Sequence, residues 1–181
     1  MSKGKLIARG TFFGGSRVYE NSDSWVIKET ASPSQPDYEF FKSRLGNFIP
    51  ETQFQGQIIR QKRIHGRRIC DINLTELTSN PKIISQLTDL FSRCVQMWEE
   101  DGRIPDLLSP DQGPLKTTNI MIENDSDRVY LVDTTANVKY FSKKSFILYR
   151  LRQEFTIKAL KKFVRKFDST SNFSQNNPRL S

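Results

Sequence analysis

The sequence predicts an α+β fold: a small antiparallel sheet carrying one helix, followed by a mainly helical part that includes a β-hairpin. Three observations predict it. The first third holds short apolar or alternating runs separated by polar turns, the pattern of antiparallel strands. Ile83, Ile84, Leu87, Leu90, Phe91, Cys94, Val95 and Trp98 recur at i, i+3, i+4 and i+7 spacing, which is one apolar face of a helix. Two short apolar runs, 120–122 and 129–132, flank the polar stretch Glu123-Asn124-Asp125-Ser126-Asp127. With 181 residues the chain is long enough to bury a core unaided, and thirteen Phe, five Tyr and two Trp supply the material.

Residues 6–13 read as a strand running into a loop at Gly14-Gly15. Residues 17–20 and 25–28 read as two strands, with the polar stretch 21–24 as their turn. Residues 30–36 form a loop, and Pro36 opens a helix over 37–45 that Gly46 stops. Two more strands follow at 48–54 and 57–62. Asn80 then caps a helix with Pro81 at its first position, and Gly102 ends it. Cys94 falls on the apolar face of that helix, so it reads as a small core residue. Residues 103–118 are irregular and punctuated by Pro and Asp. Residues 145–167 form one or two amphipathic helices, and the Ser/Asn/Gln-rich tail is disordered. The domain reading is an N-terminal lobe at 1–64, a reduced C-terminal lobe at 65–167 and a tail at 168–181.

Lys and Arg number 28 against 20 Asp and Glu, a net charge of +8. Between residues 139 and 166 stand Lys139, Lys143, Lys144, Arg150, Arg152, Lys158, Lys161, Lys162, Arg165 and Lys166, with Glu154 as the only acid. The excess is therefore local. Such a segment fits nucleic acid, an anionic membrane surface, an acidic partner or a solvated helix face. Two Cys and one His fall short of the four ligands of a structural zinc site built from those residues alone, and they make no disulfide framework. No apolar run reaches the ~20 residues that span a bilayer, and Met1-Ser2-Lys3-Gly4-Lys5 leads into no signal-peptide core, which predicts a cytoplasmic protein.

Four features that carry chemistry occur in a fixed order. The first is Gly14-Gly15-Ser16-Arg17-Val18-Tyr19, where glycine lets main-chain N–H groups approach and cradle phosphate. The second is the strand Trp25-Val26-Ile27-Lys28; a lysine closing a buried strand needs a partner, and Glu39 on the following helix is the candidate. The third is Lys116-Thr117-Thr118-Asn119, leading straight into a strand. The fourth is Asp133, closing the second strand of the same hairpin. Asn119 and Asp133 flank one hairpin, and their oxygens suit a Mg²⁺ that also takes phosphate oxygens.

With these four features the chain resembles the protein-kinase-like superfamily, in particular its small bacterial kinase-like and aminoglycoside-phosphotransferase-like branches. The glycine pair is similar to the family's glycine-rich loop, Val26-Ile27-Lys28 to its lysine strand, and Glu39 to the glutamate that pairs with that lysine. The resemblance covers roughly residues 6–135 and implies a bilobal fold with ATP and Mg²⁺ as cofactors. It implies that Gly14, Gly15, Ser16 and Lys28 hold phosphates and that main-chain groups near Gln61–Arg63 hold adenine. It places Lys116 in the catalytic loop and makes Asn119 and Asp133 the metal ligands.

The sequence departs from the family at defined places. Pro114 stands where the catalytic aspartate is expected, five residues before Asn119, and Thr134-Thr135 follow Asp133 in place of Phe-Gly. Asp106 and Asp111 are the candidates for a displaced base; following Pro105 and Pro110, each also reads as a turn-forming acid. His65, beside Gly66, reads as a turn residue. Arg63, Arg67 and Arg68 flank the hinge and would meet an acidic or phosphorylated substrate, or form a solvated cluster. Three functions follow: a phosphotransferase on an unknown acceptor; a pseudokinase scaffold or regulator with nucleotide or a protein as partner; and a basic module that binds nucleic acid or an anionic surface through residues 139–166. Losing a positioned base costs typically ~10²–10⁴-fold in rate and leaves the nucleotide site in place.

Overall fold

The computed structural model describes residues 4–9, 17–22, 24–29, 34–105, 107, 115, 117–133, 151 and 154–168. Its first layer is a five-stranded sheet in the order β1-β2-β3-β5-β4. The strands are β1 (Leu6–Arg9), β2 (Arg17–Ser22), β3 (Trp25–Glu29), β4 (Thr52–Gln55) and β5 (Ile58–Lys62), and every neighbouring pair is antiparallel. Register puts Val18 opposite Lys28, Lys28 opposite Ile59, and Val26 opposite Gln61. Directly opposed residues project to the same side of a pleated sheet, so these five side chains share one face.

Helix α1 (Gln35–Leu45) begins two residues earlier than the sequence suggested, because Ser34 is its cap: the Ser34 hydroxyl accepts from Asp37 N at 3.3 Å, and Pro36 sits inside the first turn. Gly46 ends it at φ 56°. The strand expected over 48–54 starts only at Thr52. Gly46–Phe48 forms a 3₁₀ turn, and Pro50, with no N–H to donate, precedes the ladder.

The second layer is a three-stranded sheet, β6 (Gly66–Arg68), β7 (Ile120–Glu123) and β8 (Val129–Leu131), in that order. The sequence predicted β7 and β8 alone. Gly66 allows the third strand: a Cβ there would lie 2.0 Å from the Ile122 carbonyl oxygen. Helix α2 (Leu74–Ser79) was also not expected, although Asn73 accepts from Thr75 N at 2.9 Å as its cap.

Helix α3 (Pro81–Asp101) follows its sequence signals closely. Asn80 Oδ1 accepts from Lys82 N and Ile83 N at 3.1 and 3.2 Å, and Gly102 ends the helix in the left-handed region at φ 64°. Asn80 Nδ2 also donates to Asp127 Oδ2 at 3.1 Å, which ties the β7–β8 turn to the start of α3. Asn80→Ala is expected to cost about 1–2 kcal/mol in urea unfolding, as loss of a cap does. Asn80→Asp should recover part of that, since it keeps the cap acceptor but sets a carboxylate against Asp127.

Helix α4 spans residues 154–168 and lies against α3, where Phe91 and Phe163 meet edge-to-face with ring centroids 5.0 Å apart. One buried cluster takes in Phe41 and Leu45 of α1, Leu77 of α2, the apolar face of α3, the inner residues of β7 and β8, and Ile157, Leu160 and Phe163 of α4. Cys94 is fully buried in it, and burial pushes its thiol pKa far up, so it packs as a small apolar residue. Helix α1, grouped by sequence with the first lobe, thus shares its core with α3. Three ion pairs fix its direction: Asp37 with Arg103, Arg44 Nη2 with Asp101 Oδ2 at 2.6 Å and Arg44 Nη1 with Glu100 Oε2 at 2.9 Å. Pairs this open to solvent on at least one side are worth about 0–1 kcal/mol each, so they orient the helix while its apolar face anchors it. The expected strand residues 10–13, the segment 134–150 and the tail 169–181 lie outside the described residues; Asp168, placed in the tail by sequence, is helical and is the last described residue of α4.

Candidate functional site

The sheet face that carries Lys28 looks toward the open end of the β7–β8 hairpin. Lys28 Nζ donates to the Val132 carbonyl oxygen at 2.5 Å, joining two residues 104 positions apart. At the same end of the hairpin, Val132 N donates to Asn119 O at 2.8 Å, which sets Asn119 directly across from Val132. Asp133 is the next residue, and its charge acts on Lys28. Three of the residues singled out by sequence, Lys28, Asn119 and Asp133, therefore meet at one place from distant parts of the chain.

The approach to Asn119 is shaped locally. Thr117 is fully buried, and its hydroxyl accepts from Asn119 N at 3.1 Å. A Thr accepting from the amide two residues on is a side-chain-closed turn, a signal readable from the sequence and not used there. It bends the chain immediately before β7 and fixes where Asn119 enters the hairpin end.

Electrostatics at Lys28 are set by two opposing effects. Burial pushes its pKa below the ordinary 10.5, and the Asp133 carboxylate pulls it partly back. The unfolded chain thus holds this proton more tightly than the folded one. The cost to folding is full below the lowered value and disappears as pH rises to 10.5. A cation held at such a cost, on a carbonyl and beside a carboxylate, suits a site that receives an anion.

Other expected contacts are not made. Glu39 lies exposed on α1 and accepts from Gln35 Nε2 at 2.7 Å, so the pairing of Glu39 with Lys28 is not formed. The reason is helix geometry: Phe41 and Leu45 turn the apolar face of α1 into the core, and Glu39, two residues before Phe41, points about 200° away. Gln61 is buried in β5, with Nε2 donating to Thr52 Oγ1 at 3.3 Å. Lys62 N and Arg63 N each donate to a main-chain carbonyl, of Glu51 and Ser24, both at 2.8 Å. These two amides are engaged within the sheet and its edge, so of the main-chain groups near Gln61–Arg63 expected to hold adenine, the N–H groups of Lys62 and Arg63 are already taken. The Arg63 guanidinium pairs with Glu20, while Arg67 and Arg68 pair with Glu76 and Asp71 at 2.5 and 2.8 Å. His65 is an exposed residue between β5 and β6, and its carbonyl accepts from Asn124 N at 3.0 Å. Gly14, Gly15, Ser16, Lys116, Asp106, Asp111 and Pro114 lie outside the described residues.

Among the described residues, no three His, Cys, Asp or Glu side chains gather as a metal cage, and no helix is long and apolar enough to cross a membrane. A carboxylate and an amide oxygen, as Asp133 and Asn119 offer, fit a hard cation that completes its shell with phosphate and water oxygens.

No family model and no curated protein matches this sequence. Among solved structures, the chain is similar to the crystal structure of a thermostable mutant of aminoglycoside phosphotransferase APH(4)-Ia in its apo form. The TM-score is 0.47 and the identity 11%, over 93% of this chain and 79% of that one.

Proposed function

We propose that the face of the five-stranded sheet and the open end of the β7–β8 hairpin together bind a nucleoside triphosphate with Mg²⁺, and that the chain is a kinase-like phosphotransferase. The observation that carries the proposal is the seating of Lys28 on the Val132 carbonyl, one residue from Asp133 and directly across from Asn119. In this reading the Lys28 ammonium leaves a carbonyl for phosphate oxygens, a stronger partner because it is charged. Asn119 and Asp133 hold the cation, which when bound neutralises phosphate charge. Val18, Val26 and Ile59 share the face of Lys28 and give the base an apolar platform. By the sequence resemblance, Gly14, Gly15 and Ser16 are further candidates for the phosphates and Lys116 for the catalytic loop. The acceptor is an unidentified hydroxyl compound, a small molecule or one presented by a partner.

A second reading, nucleotide binding without turnover, is favoured by the position of Glu39. No carboxylate of α1 orients Lys28, and Pro114 occupies the place of the expected base. Asp106 or Asp111 would have to act in its stead.

Lys28→Met tests both. It removes the phosphate contact while keeping the stem, and relieves the cost of a buried cation, so the thermal midpoint should stay level or rise. Stabilisation by MgATP, which is about 2.7 kcal/mol at a hundred times Kd for the wild type, should vanish. Wild-type release of ADP above that of Lys28→Met supports transfer. Intact MgATP binding without ADP release supports the second reading, and equal stabilisation of both proteins contradicts the site.

A further inference from the structure

The cations of α4, Lys158, Lys161, Lys162, Arg165 and Lys166, are not among the residues of the proposed nucleotide site. Their geometry is defined. Thr156, Ile157, Leu160 and Phe163 are buried, so the helix is held by its inner face. Lys161 is turned to Glu99, with which it pairs at 2.6 Å. The outer face presents Phe155, Lys158, Lys162, Arg165 and Lys166, all exposed, with Glu154 and Asp168 at the two ends. Phe155 is 68% exposed, and Leu151, four residues before it, is 45% exposed. The Lys158 ammonium lies 5.7 Å from the centre of the Phe155 ring.

We infer that this outer face of α4 seats on an anionic lipid surface, with Phe155 entering the interface, Lys158 and Lys162 lying among the headgroups, and Arg165 and Lys166 adding to the positive charge of that face. The charge is complementary to acidic phospholipid over about 12 Å of helix from Lys158 to Lys166. The apolar pair decides between lipid and nucleic acid. Both would draw the cations, but Phe155, with most of its surface exposed, gains free energy by leaving water for the acyl boundary, and Leu151 is a second exposed apolar residue. A phosphodiester backbone has no such place for the leucine. An enzyme held this way would meet an acceptor at the membrane surface, a consequence that rests on the phosphotransferase reading; the lipid contact itself does not.

The test is co-sedimentation of the full chain with vesicles of phosphatidylcholine and of a phosphatidylcholine–phosphatidylserine mixture, at low and high salt, beside a gel shift with single-stranded oligonucleotide. The wild type should sediment with the mixed vesicles alone. Each cation removed should lower partitioning about fivefold, so Lys158→Gln with Lys162→Gln should lose more than about tenfold. Phe155→Ser should lose the part of the binding that survives high salt. These side chains are exposed, so circular dichroism melting should match the wild type, and binding by a folded variant is the readout. Equal sedimentation with neutral vesicles, no sedimentation with either, full binding by the double Gln variant, or oligonucleotide binding without vesicle binding would each overturn the inference.

Discussion

Phe91→Ala is expected to destabilise the protein by about 3–5 kcal/mol, as deletion of a fully buried aromatic ring does. Phe91 is completely buried at the middle of α3 and meets Phe163 of α4 edge-to-face. The ring therefore joins the helix that organises the core to the one that packs on it. Domains of this size have only about 5–15 kcal/mol of total stability, so this one change brings the chain close to unfolding. In urea the midpoint should fall sharply with the slope unchanged. Phe163→Ala should cost less, since Phe163 keeps 8% of its surface exposed. The two changes together should cost less than their sum, by about 0.5–1.5 kcal/mol, the worth of an aromatic pair beyond its buried area. A loss below about 1 kcal/mol for Phe91→Ala would mean that α4 is not docked on α3 as described.

The second large effect is on binding. Asp133→Asn keeps the shape of the side chain and removes its charge. If Asp133 holds the cation, the strengthening of ATP binding by Mg²⁺ should fall by at least about 100-fold, because even outer partners of a metal site are worth 10–100-fold. Binding of ATP without Mg²⁺ should be unchanged or tighter, since one negative charge near the phosphates is gone. The same variant removes the carboxylate that partly offsets the burial of Lys28, so the Lys28 pKa should drop further. Retained Mg²⁺ dependence would take Asp133 out of the site and leave Asn119 without its partner in the donor set.

The elements that were legible in the sequence are those with local signals. Helix α3 has a cap, a proline, a regular apolar face and a terminal glycine, and its observed bounds follow them. The β7–β8 hairpin was legible from two apolar runs about a polar turn. Strand β6 was not, since Gly66-Arg67-Arg68 carries no alternation and is extended only because β7 pairs with it. Helix α2 has a readable start in Asn73 followed three residues later by Glu76, but six residues with a single buried apolar side chain, Leu77, give no periodicity to find.

For the candidate site, Lys28, Asn119 and Asp133 were singled out in the sequence, and the fold brings them to one end of the β7–β8 hairpin. The pairing of Lys28 with Glu39 depended on which way α1 faces. Phe41 and Leu45, together with the ion pairs to Arg103 and Asp101, decide that, and their partners lie more than fifty residues away in sequence. Which main-chain groups near Gln61–Arg63 are open depends in a related way on distant partners: Lys62 N and Arg63 N donate to Glu51 and Ser24, which the local sequence does not reveal.

The central claim is that Lys28, Asn119 and Asp133 form one nucleotide–metal site, and calorimetric titration of ATP into the wild type and Lys28→Met, each with and without Mg²⁺, tests it most directly. The account predicts saturable binding of one nucleotide per wild-type chain, strengthened by Mg²⁺ and lost in Lys28→Met. No binding at millimolar ATP in either condition, or undiminished binding by Lys28→Met, would contradict it.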